Sequence, residues 1–384
     1  MIASHIVRSI RRWGRSLFLT VVGSLVLTGM LTAAAQPSAH QSVTSIPGFL
    51  YRVSAVSASD AWAVGTVGNP SEPLIVHWDG TRWSKVTSPN VPTAELSGVS
   101  MVSAADGWAV GTNFSGSIAL IEHWDGTGWT LVPPPPISGF GSSLRGVDMV
   151  SATDGFAVGY YVNGNEVPRP LVLHWDGTRW SQVPVSVPAG YTVLLTVSAA
   201  SAADAWAVGN TQLGGGLAVL TLHWDGTRWS QVPIPNPGLT SADGVSDASP
   251  GNAWAVGAQG SKTLSLHWNG TAWQRVFSPS PGHQTCSPCN TPPNQLGGVA
   301  IVSRSNAWSV GGYTTSTGGT AALTLHWNGT RWARVPNQGG TSDSYLAGIT
   351  MASATDGWAI GGRHSATGNN VLILHWNGTT WSRS

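Results

Sequence analysis

Apolar and polar positions alternate along most of this chain in runs too short for helices. The stretch Leu96-Ser-Gly-Val-Ser-Met-Val-Ser103 reads as a first strand and Gly107-Trp-Ala-Val-Gly111 as a second. Ile118 to Trp124 gives a third strand. Trp129-Thr-Leu-Val132 gives a fourth, ended by prolines that cannot donate to a β-ladder. Between the first two lies Ala104-Ala-Asp106, where Asp suits a tight turn because its side chain bonds the backbone two residues on. Asp125-Gly126 is a hairpin signal, since both central residues of a type I′ turn need positive φ. A sustained 3.6-residue period is absent outside the first 35 residues.

The same pattern is written seven times. An Ala/Gly-Trp-Ala-Val-Gly element centres on Trp62, Trp108, Phe156, Trp206, Trp254, Trp308 and Trp358. A His-Trp-Asp/Asn-Gly-Thr-x-Trp element opens at His77, His123, His174, His223, His267, His326 and His375. Successive first elements lie 46, 48, 50, 48, 54 and 50 residues apart. Strand-like repeats with a period near fifty are the mark of blades around a ring. The expected fold is all-β, a seven-bladed β-propeller of four-stranded antiparallel blades over residues 49–384. A two-residue hairpin loop would set Trp78 opposite Thr81 and His77 opposite Arg82. Trp78 and Trp83 then become diagonal neighbours on one face, with the histidine on the other, toward the adjacent blade. The indoles between blades are the expected core. Gln41-Ser-Val-Thr-Ser-Ile-Pro47 is similar to Ser84-Lys-Val-Thr-Ser-Pro89, the end of a fourth strand. Residues 36–48 are therefore expected to close the ring, with pairing to the last blade around Val43.

The pattern resembles the kelch and galactose-oxidase-type propeller repeat, in which a glycine pair ends the second strand and a tryptophan opens the fourth. Gly311-Gly312 and Gly361-Gly362 match that pair, whereas the other five units keep only Gly65, Gly111, Gly159, Gly209 and Gly257. Trp83 matches the family tryptophan, and Trp78 stands where the family usually has tyrosine. Asp79-Gly-Thr-Arg-Trp83 also resembles the Asp-box hairpin of sialidase-like propellers, one residue short. The resemblance implies a propeller and no particular activity.

The chain's start reads differently. Arg8, Arg11, Arg12 and Arg15 precede an apolar run from Leu17 to about Leu31, and Ala33-Ala34-Ala35 offers a cleavage site. Residues 1–35 are expected to be a signal peptide cleaved after Ala35, the alternative being an uncleaved anchor. A secreted, extracellular chain with no stable membrane span follows from cleavage. Without those four arginines, 14 Lys plus Arg stand against 17 Asp plus Glu, a balance of −3. No basic stripe remains, so nucleic acid is an unexpected partner. Cys286 and Cys289 are the only cysteines, and in an exported chain a local disulfide is expected. A zinc site with His283 would have three ligands where a closed one wants four, so no metal is expected.

The seven histidines recur beside the same tryptophan, so each is expected to be a packing residue satisfied by a backbone carbonyl. The turn carboxylates Asp60, Asp106, Asp154, Asp204, Asp356, Asp79, Asp125, Asp176 and Asp225 are structural on the same ground. Eight acids remain: Glu72, Glu95, Glu122, Glu166, Asp148, Asp243, Asp247 and Asp343. A glycosidase needs two carboxylates flanking one bond, and Asp148 and Asp247 in first strands are the pair to consider. The arginines Arg52, Arg145, Arg169, Arg304 and Arg363 make no recognisable set, and no cofactor constellation is found. Binding has better support. Phe114, Tyr160, Tyr161 and Tyr313 follow second strands, while Phe140, Tyr191 and Tyr345 precede first strands, which places all seven on one rim among Asn, Ser, Thr and Gly. Rings beside neutral hydrogen-bonding groups suit sugar faces or extended polypeptide. The expected function is a monomeric, non-catalytic recognition module for polysaccharide or a glycoconjugate. The alternatives are a protein ligand or structural role, and a polysaccharide-acting hydrolase or lyase.

Overall fold

A computed structural model describes residues 46–213, 216–235, 240–283, 292–340, 343–365 and 368–384. Those residues form seven four-stranded sheets, each with its strands in sequential antiparallel order, and no helix. In the first blade the strands are Phe49–Ser57, Asp60–Val67, Glu72–Trp78 and Trp83–Val86. The chain is a seven-bladed β-propeller. First strands contact first strands of both neighbouring blades all the way round, including blade 1 with blade 7, so they line the axis. Residues 1–35, expected to be a signal peptide, together with Val43 and both cysteines, lie outside the described residues.

Tryptophan makes each blade interface. Trp62 of blade 1 packs on Trp124 and Trp129 of blade 2, ring centroids 4.7 and 5.6 Å away. The set repeats around the ring until Trp358 of blade 7 meets Trp78 and Trp83 of blade 1 at 4.8 and 5.0 Å. Each indole buries about 200 Å², an upper bound of about 5 kcal/mol at about 25 cal/mol per Å². No exposed ion pair approaches that, being worth about 1 kcal/mol at most. Thirteen of these indole N–H groups are buried without an acceptor among the described residues. Near-perpendicular neighbouring rings are the groups on offer to them, a weak N–H···π contact.

The hairpin register differs from expectation. Trp78 pairs directly with Trp83 and His77 with Ser84, because the loop holds four residues, 79–82. Asp79 Oδ1 accepts from the Thr81 backbone N–H (2.8 Å), the Thr81 hydroxyl (2.6 Å) and the Arg82 N–H (2.9 Å). Of its two leading residues, only Gly80 takes positive φ, at 89°, so this is an Asx-turn and not type I′. Those donors, the Thr81 hydroxyl first, hold the Asp79 carboxyl down at about 2.

The histidine faces the next blade as expected, stacked on its own blade's Trp62 at 4.1 Å. Its partner corrects the expectation of a carbonyl: His77 Nε2 lies 2.9 Å from Asp60 Oδ1. The turn aspartate is thus spent on histidine, and Ser57 Oγ closes the turn by accepting the Ser59 N–H. Where Asn252 and Asn306 replace aspartate, their amide oxygens take the same place 3.0 Å from His267 and His326.

Ring closure falls just after Val43. Val371 and Gly48 donate to the carbonyls of Ile46 and Asn369, and Pro47 bridges Asn370. Residues 46–48 thereby extend the outer edge of blade 7 alongside its third strand, Gly368–Trp376. Ile46 is buried with Trp83, Trp358 and Ile373.

Candidate functional site

Every first strand carries a β-bulge at the same place. In blade 2 the register jumps from Leu96 to Gly98, leaving Ser97 as the extra residue. The same irregularity frees Tyr51, Arg145, Leu195, Asp243, Gly297 and Ala347 in the other six blades. A bulge re-aims a side chain away from the regular face, here at the channel end nearer the long loops. Unlike the interface tryptophans, these seven residues have little chemistry in common.

The residue after each bulge is Gly98, Gly146, Gly244, Gly298 or Gly348 in five blades, Thr196 in blade 4 and Arg52 in blade 1. Space is tight there: a Cβ on Gly98 would sit 3.0 Å from Cα of Gly146 in the next blade. Arg52 breaks the ring and bends across the channel. Its guanidinium donates to the carbonyls of Tyr51 (2.9 Å), Ala347 of blade 7 (3.0 Å) and Asp243 of blade 5 (2.8 Å). Beyond it lies a chamber of about 270 Å³, lined in part by Ser54, Ser100, Asp148, Ser198, Ser246 and Thr350.

Asp148 occupies a serine position. Ser54, Ser100, Ser198 and Ser246 each accept a backbone N–H from the following blade, and Asp148 Oδ2 does the same from Ala199 at 2.8 Å. Burial raises its pKa to about 6. Asp247 stands where blade 2 has Met101, and burial followed by the charge of Asp204 raises it to about 8. The Asp148 carboxylate bridges two blades, whereas both carboxylate oxygens of Asp247 are buried without a hydrogen-bond partner among the described residues.

On the long-loop side of Arg52 the polar residues gather. Arg145 Nη1 meets Glu95 Oε1 at 2.7 Å, with side chains 23% and 13% exposed. The same guanidinium lies 5.9 Å from the centre of the Tyr160 ring. Tyr51 and Tyr191 border this pair. Burial, then Glu95, pushes the Tyr51 hydroxyl up, and burial, then Tyr160, raises Tyr191 to about 12. Across the mouth, Gln295 Nε2 donates to Asp243 Oδ2 at 2.9 Å, while burial pushes the Asp243 carboxyl up against the pull of Gln295 and Arg52. A Cβ on Gly297 would stand 2.8 Å from the Tyr345 hydroxyl, so the missing side chain makes room for that ring.

The predicted aromatics divide. Tyr160, Tyr191 and Tyr345 reach the channel mouth. Phe114 and Phe140 stand on the outer rim, 45% and 76% exposed. Tyr313 lies on blade 6 under Arg334, and Tyr161 packs against the core between blades 2 and 3. The arginines said to form no set are corrected: Arg52 and Arg145 organise the mouth with Tyr51, Glu95, Asp243 and Gln295. The signal for Arg52 was the break in the after-bulge glycine column. Phe277, 79% exposed, was also missed. Among the described residues no three His, Cys, Asp or Glu side chains group as a metal site, and no helix is long and apolar enough to cross a membrane.

Comparison with known proteins gives shape and little else. No protein-family model and no curated sequence matches the chain. Among solved structures, YCF48 bound to D1 peptide is 14% identical, with 86% of this chain and 94% of that one covered, at a TM-score of 0.57. Virginiamycin B lyase from Staphylococcus aureus is 15% identical over 83% and 94%, also at 0.57. The GH74 xyloglucanase from Xanthomonas campestris is 12% identical over 88% and 55%, at 0.59. The likeness shows the fold alone. It supports a propeller without singling out kelch-type repeats.

Proposed function

We propose that this chain is a secreted, non-catalytic recognition propeller whose channel mouth binds a polysaccharide or a glycan-bearing surface. The observation that carries the reading is the cluster of Tyr51, Tyr160 and Tyr191 around the half-buried Arg145–Glu95 pair. A buried ion pair is weak support for stability, since apolar residues of similar volume serve as well. Rings beside fixed donors and acceptors instead suit a ligand with flat apolar faces edged by hydroxyls. Export rests on the arginines and apolar run of the first 35 residues; amino-terminal sequencing of protein from the culture medium should begin at Gln36. A glycan array tests the ligand: hits that vanish in Tyr160→Ala and Arg145→Ala, with melting temperature unchanged, support the reading. Hits that survive both substitutions refute it.

A second reading, a peptide ligand at the same mouth, is favoured by the structural likeness to a propeller solved with a peptide bound. Silence on the glycan array together with capture of a defined peptide, lost in Arg145→Ala, would select it.

A further inference from the structure

The outer rim between blades 6 and 7 holds a feature the channel mouth does not explain. Arg334 stacks on Tyr313, its guanidinium 4.8 Å from the ring centre and 2.7 Å from the hydroxyl. Both border a cavity of about 270 Å³ whose far wall is formed by Gln338 and Gly340. Arg383 reaches that wall from blade 7, donating from Nη2 to the Gly339 carbonyl at 3.2 Å. A Cβ on Gly340 would meet Arg383 Nη2 at 3.8 Å and Ser344 Oγ at 3.9 Å, ordinary contacts that place the Arg383 guanidinium beside this wall. Arg363 stands directly opposite Ser344 in the sheet.

Two observations point to an anion site. The Nε atoms of Arg363 and Arg383 are both buried, and neither has a hydrogen-bond partner among the described residues. No ion pair to either arginine is found among the described residues, and Asp343, which precedes Ser344, is exposed. Burial, then the like charge of Arg363, pushes the Arg383 guanidinium down from its ordinary range. Two half-buried guanidiniums held near each other, with no carboxylate paired to them among the described residues, are what an anion relieves through charge-assisted hydrogen bonds.

We propose that this rim pocket is a second binding site, taking the carboxylate or sulfate of an acidic saccharide. The guanidiniums of Arg363 and Arg383 would hold the anion, and the cavity beside Tyr313 and Gln338 would receive the sugar ring. The volume is slightly below the roughly 300–1,000 Å³ of pockets for drug-sized ligands, which suits one ring. The choice of a saccharide rests on the glycan reading of the chain; the preference for an anion rests on the arginines alone.

Calorimetry on the whole mature protein tests it, with a galacturonate tetrasaccharide, the matching neutral galactose tetrasaccharide and inorganic sulfate as probes. The acidic oligosaccharide should bind at least about tenfold tighter than the neutral one, and Arg363→Gln or Arg383→Gln should remove that preference. Arg145→Gln, at the channel mouth, should leave the preference intact. Equal affinity for the acidic and neutral sugars overturns the proposal, as does loss of the preference in Arg145→Gln alone. Sulfate bound as tightly as the acidic sugar overturns the saccharide part. Should Arg383→Gln lower the melting temperature, Arg363→Gln carries the test, because the Arg363 Nε has no hydrogen-bond partner among the described residues. Failure here with intact Tyr160-dependent glycan hits leaves the mouth reading standing, so the two fail separately.

Discussion

The blade interfaces and the bulge ring are built from the same seven repeats and obey opposite rules. At the interfaces nearly every blade supplies the same three aromatic rings, the same histidine and the same turn acid or amide. At the bulges one blade supplies tyrosine, one arginine, one aspartate, one leucine, and three supply glycine, alanine or serine. Sevenfold sameness is what closing a ring demands, since each wedge must fit its neighbour. Sevenfold difference at one register position has no such cause. A ligand that is not itself sevenfold supplies one, which is why recognition is assigned to the bulges.

The comparison breaks most visibly at the interface. Trp206→Ala removes a ring in contact with Trp268 and Trp273 and should cost about 4 kcal/mol, read by denaturant unfolding. A loss as small as that of a surface substitution would sink the claim that indoles hold the blades.

Next in size is Glu122, fully buried in blade 2, whose carboxylate oxygens accept from Ser88 Oγ at 3.0 and 3.1 Å. Burial raises its pKa from 4.5 to about 7, so the folded state holds the proton more tightly than the unfolded chain. Its stabilising contribution is complete below about 4.5 and is lost as pH rises to about 7, a difference on the order of 3 kcal/mol. Glu122→Gln should therefore raise the melting temperature at pH 8 and change it little at pH 4. Equal shifts at both pH values would contradict the burial argument.

Smaller effects sharpen the contrast at the channel. Arg52→Gly restores the residue found in five other blades and removes three hydrogen bonds to carbonyls, at a cost of about 1–2 kcal/mol by calorimetry. Asp148→Ser restores the residue of four other blades and should change stability by less than about 1 kcal/mol at neutral pH. A severe loss in Asp148→Ser would show that the carboxylate does more than bridge two blades.

Most of the fold could be read from the residues, because period-two alternation and the recurring Trp62-type and Trp83-type rings report faces directly. The third strand Ile118–Trp124 has the bounds its pattern suggested. What stayed hidden depended on contacts across distance. The Asp79 carboxylate sets a four-residue loop that Asp-Gly alone does not reveal, and Asp60 turns from its own backbone to a histidine 17 residues on. The mouth was harder still: Arg145 finds Glu95 fifty residues away, and only superposing the seven first strands shows that Tyr51, Arg145 and Asp243 share a register. Tyr161, alike to Tyr160 in sequence, faces the other side of its strand and packs inward.

The most direct measurement exchanges the bulge ring while leaving the wedges alone. Tyr51→Ser, Arg145→Ser and Asp243→Ser together give the bulges the serine already present in blade 2. Near-ultraviolet circular dichroism and melting temperature should stay close to wild type, while binding of the glycan-array hits falls at least about tenfold. Wild-type affinity in the triple variant, or collapse of its tryptophan spectrum, would contradict the division between a repeated scaffold and a singular mouth.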